Sequence, residues 1–240
     1  MNYGDKMLRN GRLEWIEYTK VNTELTKSKE RVVKEIGLSI FINKRHFTTA
    51  MMTPMMEKEF VIGHLFGQRV IENIEEIQSI TIKDNVAEVV LPEIRNERKG
   101  FPMIYSNLRV RREDIFDGVK AILESKVFVE TEAIHSAGLF KRGIEPICIA
   151  EDIGRHNALD KVIGYGLTND IDFGNAFVTS TGRQPAEMIL RCCNANIPII
   201  ATKGVPTTLA VDIARKVGLT IVGLVRGNGM TVYSNPARIW

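Results

Sequence analysis

Three short stretches late in the chain hold residue types suited to binding anions: TSTGR at 179–183, TKGVPTT at 202–208 and RGNG at 226–229. Each joins hydroxyls or glycines to a basic residue, respectively Arg183, Lys203 and Arg226. Backbone N–H groups left free at helix N-termini attract phosphate, and guanidinium or ammonium groups add charged donors. Ser, Thr, Gly and Pro are equally what an ordinary strand-to-helix turn needs for capping, so one loop alone does not separate the two readings. A second polar cluster, Arg155, His156, Asn157, Asp160 and Lys161, opens the stretch EDIGRHNALDKVIGYGL. His156 and Asp160 stand four apart and share a helical face, as do Asn157 and Lys161. That spacing fits a capped helix start with exposed charges; as a metal site it lacks a third ligand, and with the four histidines scattered no metal centre is expected.

For the three loops to act together, their elements must bring them to one edge of a sheet. Short apolar runs at 176–178, 197–201 and 219–225 alternate with segments in which Met188/Ile189, Leu209, Ile213 and Val217 recur at helical spacing. The pattern predicts parallel strands with crossover helices. In such a sheet, ligands settle in the crevice at the carboxyl ends of the strands, where these loops lie. A phosphate-bearing ligand, a nucleotide, is the expectation for that crevice.

Upstream, IGLSIFINKRHFTTAMM at 36–52 reads as a hairpin turning at Asn43-Lys44-Arg45, and IQSITI with VAEVVL as a second hairpin around Lys83-Asp84-Asn85. Between them EKEFVIGHLFGQRVIEN has a helical stripe of Phe60, Val61, Leu65 and Ile71; its Gly63 and Gly67 suggest close packing against a neighbour, and His64 reads as structural. Residues 1–30 are polar, with Leu13, Trp15, Ile16 and Tyr18 grouped as an edge strand in a loosely held start. The segment 92–114 is rich in Arg and Lys without periodicity, a solvated loop or a basic flap over an anionic ligand. A helix over 114–125 follows, and 127–151 reads as strands turning at Lys141-Arg142-Gly143.

The 240 residues, 44% hydrophobic and 25% charged, suit a globular protein able to bury its own core. A net charge of +3 is too mild to argue for a nucleic-acid surface, and only Phe101 and Tyr105 stand near the basic segment as stacking groups. No apolar run approaches membrane-spanning length and no signal-peptide core is visible, so a cytoplasmic protein without a membrane partner is expected. Cys148, Cys192 and Cys193 form neither a disulfide framework nor a CxxC.

Four motifs in order, EDIGRHNALDKVIG (151–164), TSTGRQPAEMI (179–189), IPIIATKGVPTTLAVDIA (197–214) and GLTIVGLVRGNGMTVYSNPARI (218–239), resemble the FdhD/NarQ family of formate dehydrogenase accessory sulfurtransferases. His135 in TEAIHSAGLF stands where that family has a histidine, and the N-terminal half resembles the family more weakly. The resemblance implies an α/β fold with a cytidine-deaminase-like C-terminal domain (113–240) and a smaller α+β N-terminal portion (1–112), as a homodimer. It implies sulfur received from a cysteine desulfurase and passed to the molybdenum bis-molybdopterin guanine dinucleotide cofactor before insertion into formate dehydrogenase. GDP would be a partial mimic of that cofactor. Carried over residue by residue, the cofactor-binding set is His135, Arg155, His156, Asn157, Asp160, Lys161, Ser180, Gly182, Arg183, Pro206, Thr207, Arg226 and Gly227.

The chain departs from the family at Glu132-Ala133, where the family has a pair of glycines, at Met55-Met56, where it has an acidic glycine-containing turn, and above all in one loop. Where the family has a pair of cysteines, SNLRVRREDI places Asn107 and Val110, so no catalytic residue is assigned. A persulfide needs an accessible thiolate, which neither side chain supplies. Arg109, Arg111 and Arg112 would instead make this loop a clamp for phosphate. Two mechanisms stand: sulfur transfer through another thiol, or cofactor binding and delivery without thiol chemistry. A zinc-dependent deaminase is the alternative from another class, but Pro146-Ile147-Cys148 lacks the second cysteine of its PCxxC pair.

Overall fold

The computed structural model describes residues 12–92, 100–131, 133–141 and 146–240. Leu13–Val21 (β1) and Leu25–Val33 (β2) pair antiparallel as a two-stranded ribbon, more order than the polar sequence suggested. Cross-strand partners hold it: Lys29 Nζ lies 2.8 Å from Glu17 Oε1, and the Arg31 guanidinium sits 5.9 Å from the Trp15 ring centre. These pairs replace the apolar alternation by which strands are usually recognised. At the ribbon's base Arg12 Nη1 contacts Glu151 Oε2 at 3.2 Å and Arg31 pairs with Glu130.

Both expected hairpins are present. Ile36–Ile42 (β3) with Arg45–Met52 (β4), and Ser79–Lys83 (β5) with Val86–Val90 (β6), form a four-stranded sheet in the order β4-β3-β6-β5. Their turns, Asn43-Lys44 and Asp84-Asn85, have positive φ at both central residues, the geometry that matches strand twist in a two-residue loop. Glu57–Gly67 (α1) covers the apolar face made by Leu38, Ile40, Ile42, Ala87 and Val89.

Arg112–Leu123 (α2) begins close to where the sequence predicts, with the Asp114 carboxylate accepting from the Arg111 backbone N–H at 3.2 Å. The next residues correct the expectation of strand from 127 onward, because Lys126–Thr131 (α3) is helical. Its N-terminus is capped from a distance: Glu151 Oε1 accepts from the N–H groups of Val127 at 3.0 Å and Phe128 at 3.1 Å. A cap supplied by a residue more than twenty positions away leaves no local signal.

His135–Phe140 (β7) and Pro146–Asp152 (β8) pair antiparallel, and Arg155–Thr168 (α4) follows. Then Phe177–Ser180 (β9), Ala186–Asn194 (α5), Ile199–Thr202 (β10), Thr208–Val217 (α6) and Thr220–Arg226 (β11) realise the predicted βαβαβ run. Gly229–Val232 (β12) turns back on β11. The sheet order is β12-β11-β10-β9-β7-β8, with β9, β10 and β11 parallel. One face packs Phe140, Phe177, Ile199 and Val222 on Ile115, Val119 and Ile122 of α2. The other packs Leu139, Val178, Ile200 and Ile221 on α4, α5 and α6. Strands covered on both faces carry apolar residues in succession, as Phe177-Val178, Ile199-Ile200-Ala201 and Ile221-Val222 do.

The larger core is continuous from Leu38 and Phe60 to Leu159, Cys193 and Ile213, so it spans the expected division at 112/113. The join is a helix crossing in which Gly63 of α1 meets Gly164 of α4: a Cβ on Gly63 would lie 1.8 Å from Asp160 O, and one on Gly164 1.8 Å from Glu59 O. The close packing expected of Gly63 is this contact. Among the described residues no helix is long and apolar enough to cross a membrane.

Candidate anion-binding crevice

The loops leaving β9 and β10 are tied edge to edge. Gln184 and Pro206 form an isolated parallel bridge, with Gln184 N–H donating to Val205 O at 3.0 Å and Thr207 N–H to Gln184 O at 3.1 Å. Gly182 O accepts from Thr202 Oγ1 at 2.6 Å and Gln184 Nε2 at 3.1 Å, and Leu224 N–H reaches Gly204 O at 2.8 Å. The buried hydroxyls are spent inside this weave: Ser180 Oγ accepts from Gly182 N–H at 3.3 Å and Thr202 Oγ1 from Gly204 N–H at 2.9 Å. Thr207 caps α6, accepting from Ala210 N–H at 3.4 Å. Ser180, Pro206 and Thr207 therefore shape the crevice.

His135, Arg155, Gly182 and Arg183 are brought together at the mouth. Arg155 is the first residue of α4, and its stem lies against Gly182, where an added Cβ would stand 2.9 Å from Arg155 Cβ and Cδ and 3.4 Å from His135 Nδ1. Glycine at 182 is what lets the arginine cross the loop. Arg155 Nε is buried with no hydrogen-bond partner. Among the described residues neither Arg155 nor Arg183 has a carboxylate within ion-pair distance. Burial, with the positive charges of Arg155 and Arg183 beside it, holds the His135 imidazole below its ordinary pKa, partly offset by Asp152. Two arginines without a carboxylate partner beside one histidine, one of them with a buried N–H lacking an acceptor, make a candidate site for an anion.

Asn157, Asp160 and Lys161, expected to touch the ligand, support the site instead. Asp160 and Lys161 are fully buried. Lys161 Nζ lies 2.6 Å from Asp152 Oδ2 and donates to Thr53 O at 3.1 Å and Glu151 O at 3.0 Å. Desolvation lowers the Lys161 pKa against the pull of Asp152. The same Asp152 accepts from the N–H groups of Thr53 at 3.1 Å and Gly154 at 2.8 Å, and from Asn157 Nδ2 at 2.9 Å. Asn157 Nδ2 also donates to Met51 O at 2.8 Å. This network holds the turn that launches Arg155. Asp160 accepts from Arg191 Nε at 2.6 Å and Nη2 at 3.3 Å and lies 3.0 Å from His64 Nδ1, while the His64 ring stacks on Phe60. His64 is structural, as expected. His156 stands at the flank: its Nε2 is 3.3 Å from Glu187 Oε2, a charge contact too poorly aligned for a hydrogen bond. Burial, then Arg191 and Arg155, lower the His156 pKa.

Arg226 and Gly227 part from the others. They line a cavity of about 510 Å³ between the β11–β12 turn and α2, with Arg112, Phe116 and Asn228; His135, Arg155 and Arg183 do not line it. Sequence reasoning missed the supporting partners Asp152, Gln184 and Arg191, whose roles depend on strand register and helix contacts that no spacing records. Among the described residues, no group of three or more His, Cys, Asp or Glu could hold a metal ion.

The chain matches the family model of the FdhD/NarQ family over residues 33–103 and 93–240. The chain belongs to the FdhD/NarQ family. It is 33% identical to the sulfur carrier protein FdhD of Methanothermobacter thermautotrophicus, over 93% of this chain and 97% of that protein. It is 27% identical to the sulfur carrier protein FdhD of Bacillus subtilis, over 90% of this chain and 93% of that one. A crystal structure from Desulfotalea psychrophila, described as a formate dehydrogenase accessory protein, superposes with a TM-score of 0.84 at 27% identity, covering 96% of this chain and 100% of the other.

Within this family fold, the segment leading into Asn107 lies at the end of the sheet opposite the crevice. Ile104 N–H donates to Val217 O at 2.8 Å, Tyr105 N–H to Asn196 Oδ1 at 2.8 Å and Ser106 Oγ to Gly174 O at 2.6 Å, all at positions that precede β11, β10 and β9. Val110 is buried against the C-terminal tail, where its N–H donates to Arg238 O at 2.9 Å. The expected phosphate clamp is corrected here. Arg109 Nε donates to Ala237 O at 3.1 Å, Arg111 Nη2 to Asp114 Oδ1 at 2.8 Å, and Arg112 Nε lies 3.3 Å from Glu113 Oε1. As for the expected basic flap, residues 93–99 of it lie outside the described residues. Burial pushes the Cys148 and Cys193 thiols up to about 12 and Cys192 well above its ordinary value, so none is a thiolate at neutral pH.

Proposed function

We propose that this chain is an accessory protein of formate dehydrogenase maturation that binds the phosphate-bearing, guanine-nucleotide ends of the molybdenum bis-molybdopterin guanine dinucleotide cofactor and delivers it without thiol chemistry of its own. Family membership supports the accessory role. The observation behind cofactor binding is the buried, unpartnered Arg155 Nε beside His135 and Arg183 in a recess where Asp152 is already paired with Lys161. Such a recess fits phosphate oxygens: Arg155 and Arg183 would hold them, His135 would donate to them, and Gly182 leaves room for the approach. The three inert thiols favour delivery over sulfur transfer.

The remaining expectations belong to this proposal, with family resemblance as their support: a homodimer, a cysteine desulfurase and formate dehydrogenase as partners, and a cytidine-deaminase-like domain. For the last, the parallel β9-β10-β11 run with helices on both faces adds support.

Calorimetric titration with GDP tests the site. Removing a hydrogen bond to a charged group costs about 1.5–3 kcal/mol, so Arg155→Ala and Arg183→Ala should each weaken binding by roughly tenfold to a hundredfold. Arg226→Ala should leave it unchanged. Loss with Arg226→Ala and none with Arg155→Ala would move the site to the cavity beside α2.

A further inference from the structure

His135 is the one member of the crevice whose charge and donor pattern are not fixed by its chemistry, and Thr181 is the side chain that touches it. Thr181 is locked to β7 through its backbone, its N–H donating to Ser136 O at 3.0 Å. Its Oγ1 accepts from Ser136 N–H at 3.1 Å and lies 3.2 Å from His135 Nδ1. Having accepted from an amide that can only donate, the hydroxyl still has a proton to place, and Nδ1 is the acceptor in reach. His135 Nε2 has no hydrogen-bond partner among the described residues.

We infer that Thr181 fixes His135 in the neutral Nε2–H tautomer, so that the crevice offers its anion a neutral N–H donor between two permanent cations. This positioning role for Thr181 rests on the proposed reading of the crevice as an anion site. The charged groups facing His135 agree with it: Arg155 from α4 and Arg183 from the loop after β9 oppose a proton on the ring. Asp152, at the end of β8, favours one, but it is paired with Lys161. The positive charge on the ligand therefore comes from the arginines alone. Affinity for a pyrophosphate diester, whose own charge does not change near neutrality, should then stay level as pH is raised above the ordinary histidine pKa.

Long-range proton–nitrogen NMR of the ¹⁵N-labelled full chain at neutral pH, with the His135 signals assigned from a His135→Gln variant, reads the tautomer directly. The expected result is a protonated Nε2 and a bare Nδ1. Thr181→Ser should preserve this pattern, and Thr181→Val should abolish it while weakening GDP binding about two- to tenfold, the range for one neutral hydrogen bond. An Nδ1–H tautomer or an imidazolium in the unmodified protein would overturn the inference, as would an unchanged tautomer in Thr181→Val. If that variant fails to fold, the spectrum of the unmodified chain decides alone. The NMR readout needs no ligand, so absent GDP binding would sink the proposed function and leave the tautomer standing.

Discussion

Replacing Gly63 with alanine sets two known effects against each other. In an exposed helix interior the change stabilises by up to about 1 kcal/mol, because glycine is the poorer helix former. Here the new methyl would start 1.8 Å from Asp160 O and 2.7 Å from its carbonyl carbon, both backbone atoms that no rotamer change can move. Reaching ordinary contact requires α1 and α4 to part by about 1.5 Å, and a gap of half that already forfeits a quarter or more of each dispersion contact along the seam. Phe60 of α1 and Leu159 and Ile163 of α4 are fully buried in one core cluster, so the loss is spread over many atoms. Overpacking of this severity costs about 3 kcal/mol or more. For a chain of this size that is a fall in Tm of roughly 6–12 °C. Gly67→Ala is the milder comparison, since its methyl would meet only side-chain atoms, Arg191 Cγ at 3.1 Å and Asp160 Oδ1 at 3.3 Å, and no backbone. Urea denaturation of both variants is the assay. A Gly63→Ala protein as stable as the parent, or more so, would refute the crossing and with it the placement of Arg155 at the crevice.

Two further outcomes follow from protonation. The fold depresses the pKa of both His135 and His156, so the unfolded chain takes up protons first as pH falls through about 6.5. Stability should be full above that pH and decline below it, and His135→Gln with His156→Gln should flatten the urea midpoint between about pH 5 and 8; a midpoint that rises on acidification would contradict the burial of these rings. With Cys148 and Cys193 at about 12 and Cys192 well above its ordinary value, an aromatic disulfide reagent at mildly alkaline pH should leave the native chain unlabelled and react with all three thiols only in urea. One rapidly labelled cysteine in the native protein would restore sulfur transfer through a relocated thiol.

The local elements were legible where periodicity and turn chemistry agree. The two early hairpins, α1 and the run from β9 to β11 follow from alternating apolar positions, from asparagine and aspartate turns that accept positive φ, and from helical spacing. The ribbon β1–β2 and helix α3 were not legible. One is held by cross-strand charge and cation–π pairs, and the other is capped by Glu151 from a distant strand.

The crevice divides in the same way. Sequence by itself determined that hydroxyl, glycine and arginine loops stand at the carboxyl ends of parallel strands, because strand order along the chain places them there. It also determined that no cysteine occupies positions 107 and 110. Only the tertiary structure decided which residues of EDIGRHNALDK face the ligand. Helical spacing puts Asp160 and Lys161 on faces without saying what covers those faces. Arg191, His64 and Asp152 cover them, arriving from α5, α1 and β8. Arg155 keeps a buried Nε without a partner where α4 starts, and His156 keeps a buried Nε2 at the flank, where Glu187 stands 3.3 Å away without aligning for a hydrogen bond. The sorting of charged residues into supports and contacts is thus a property of packing, since a buried charge must find a partner wherever in the chain that partner lies.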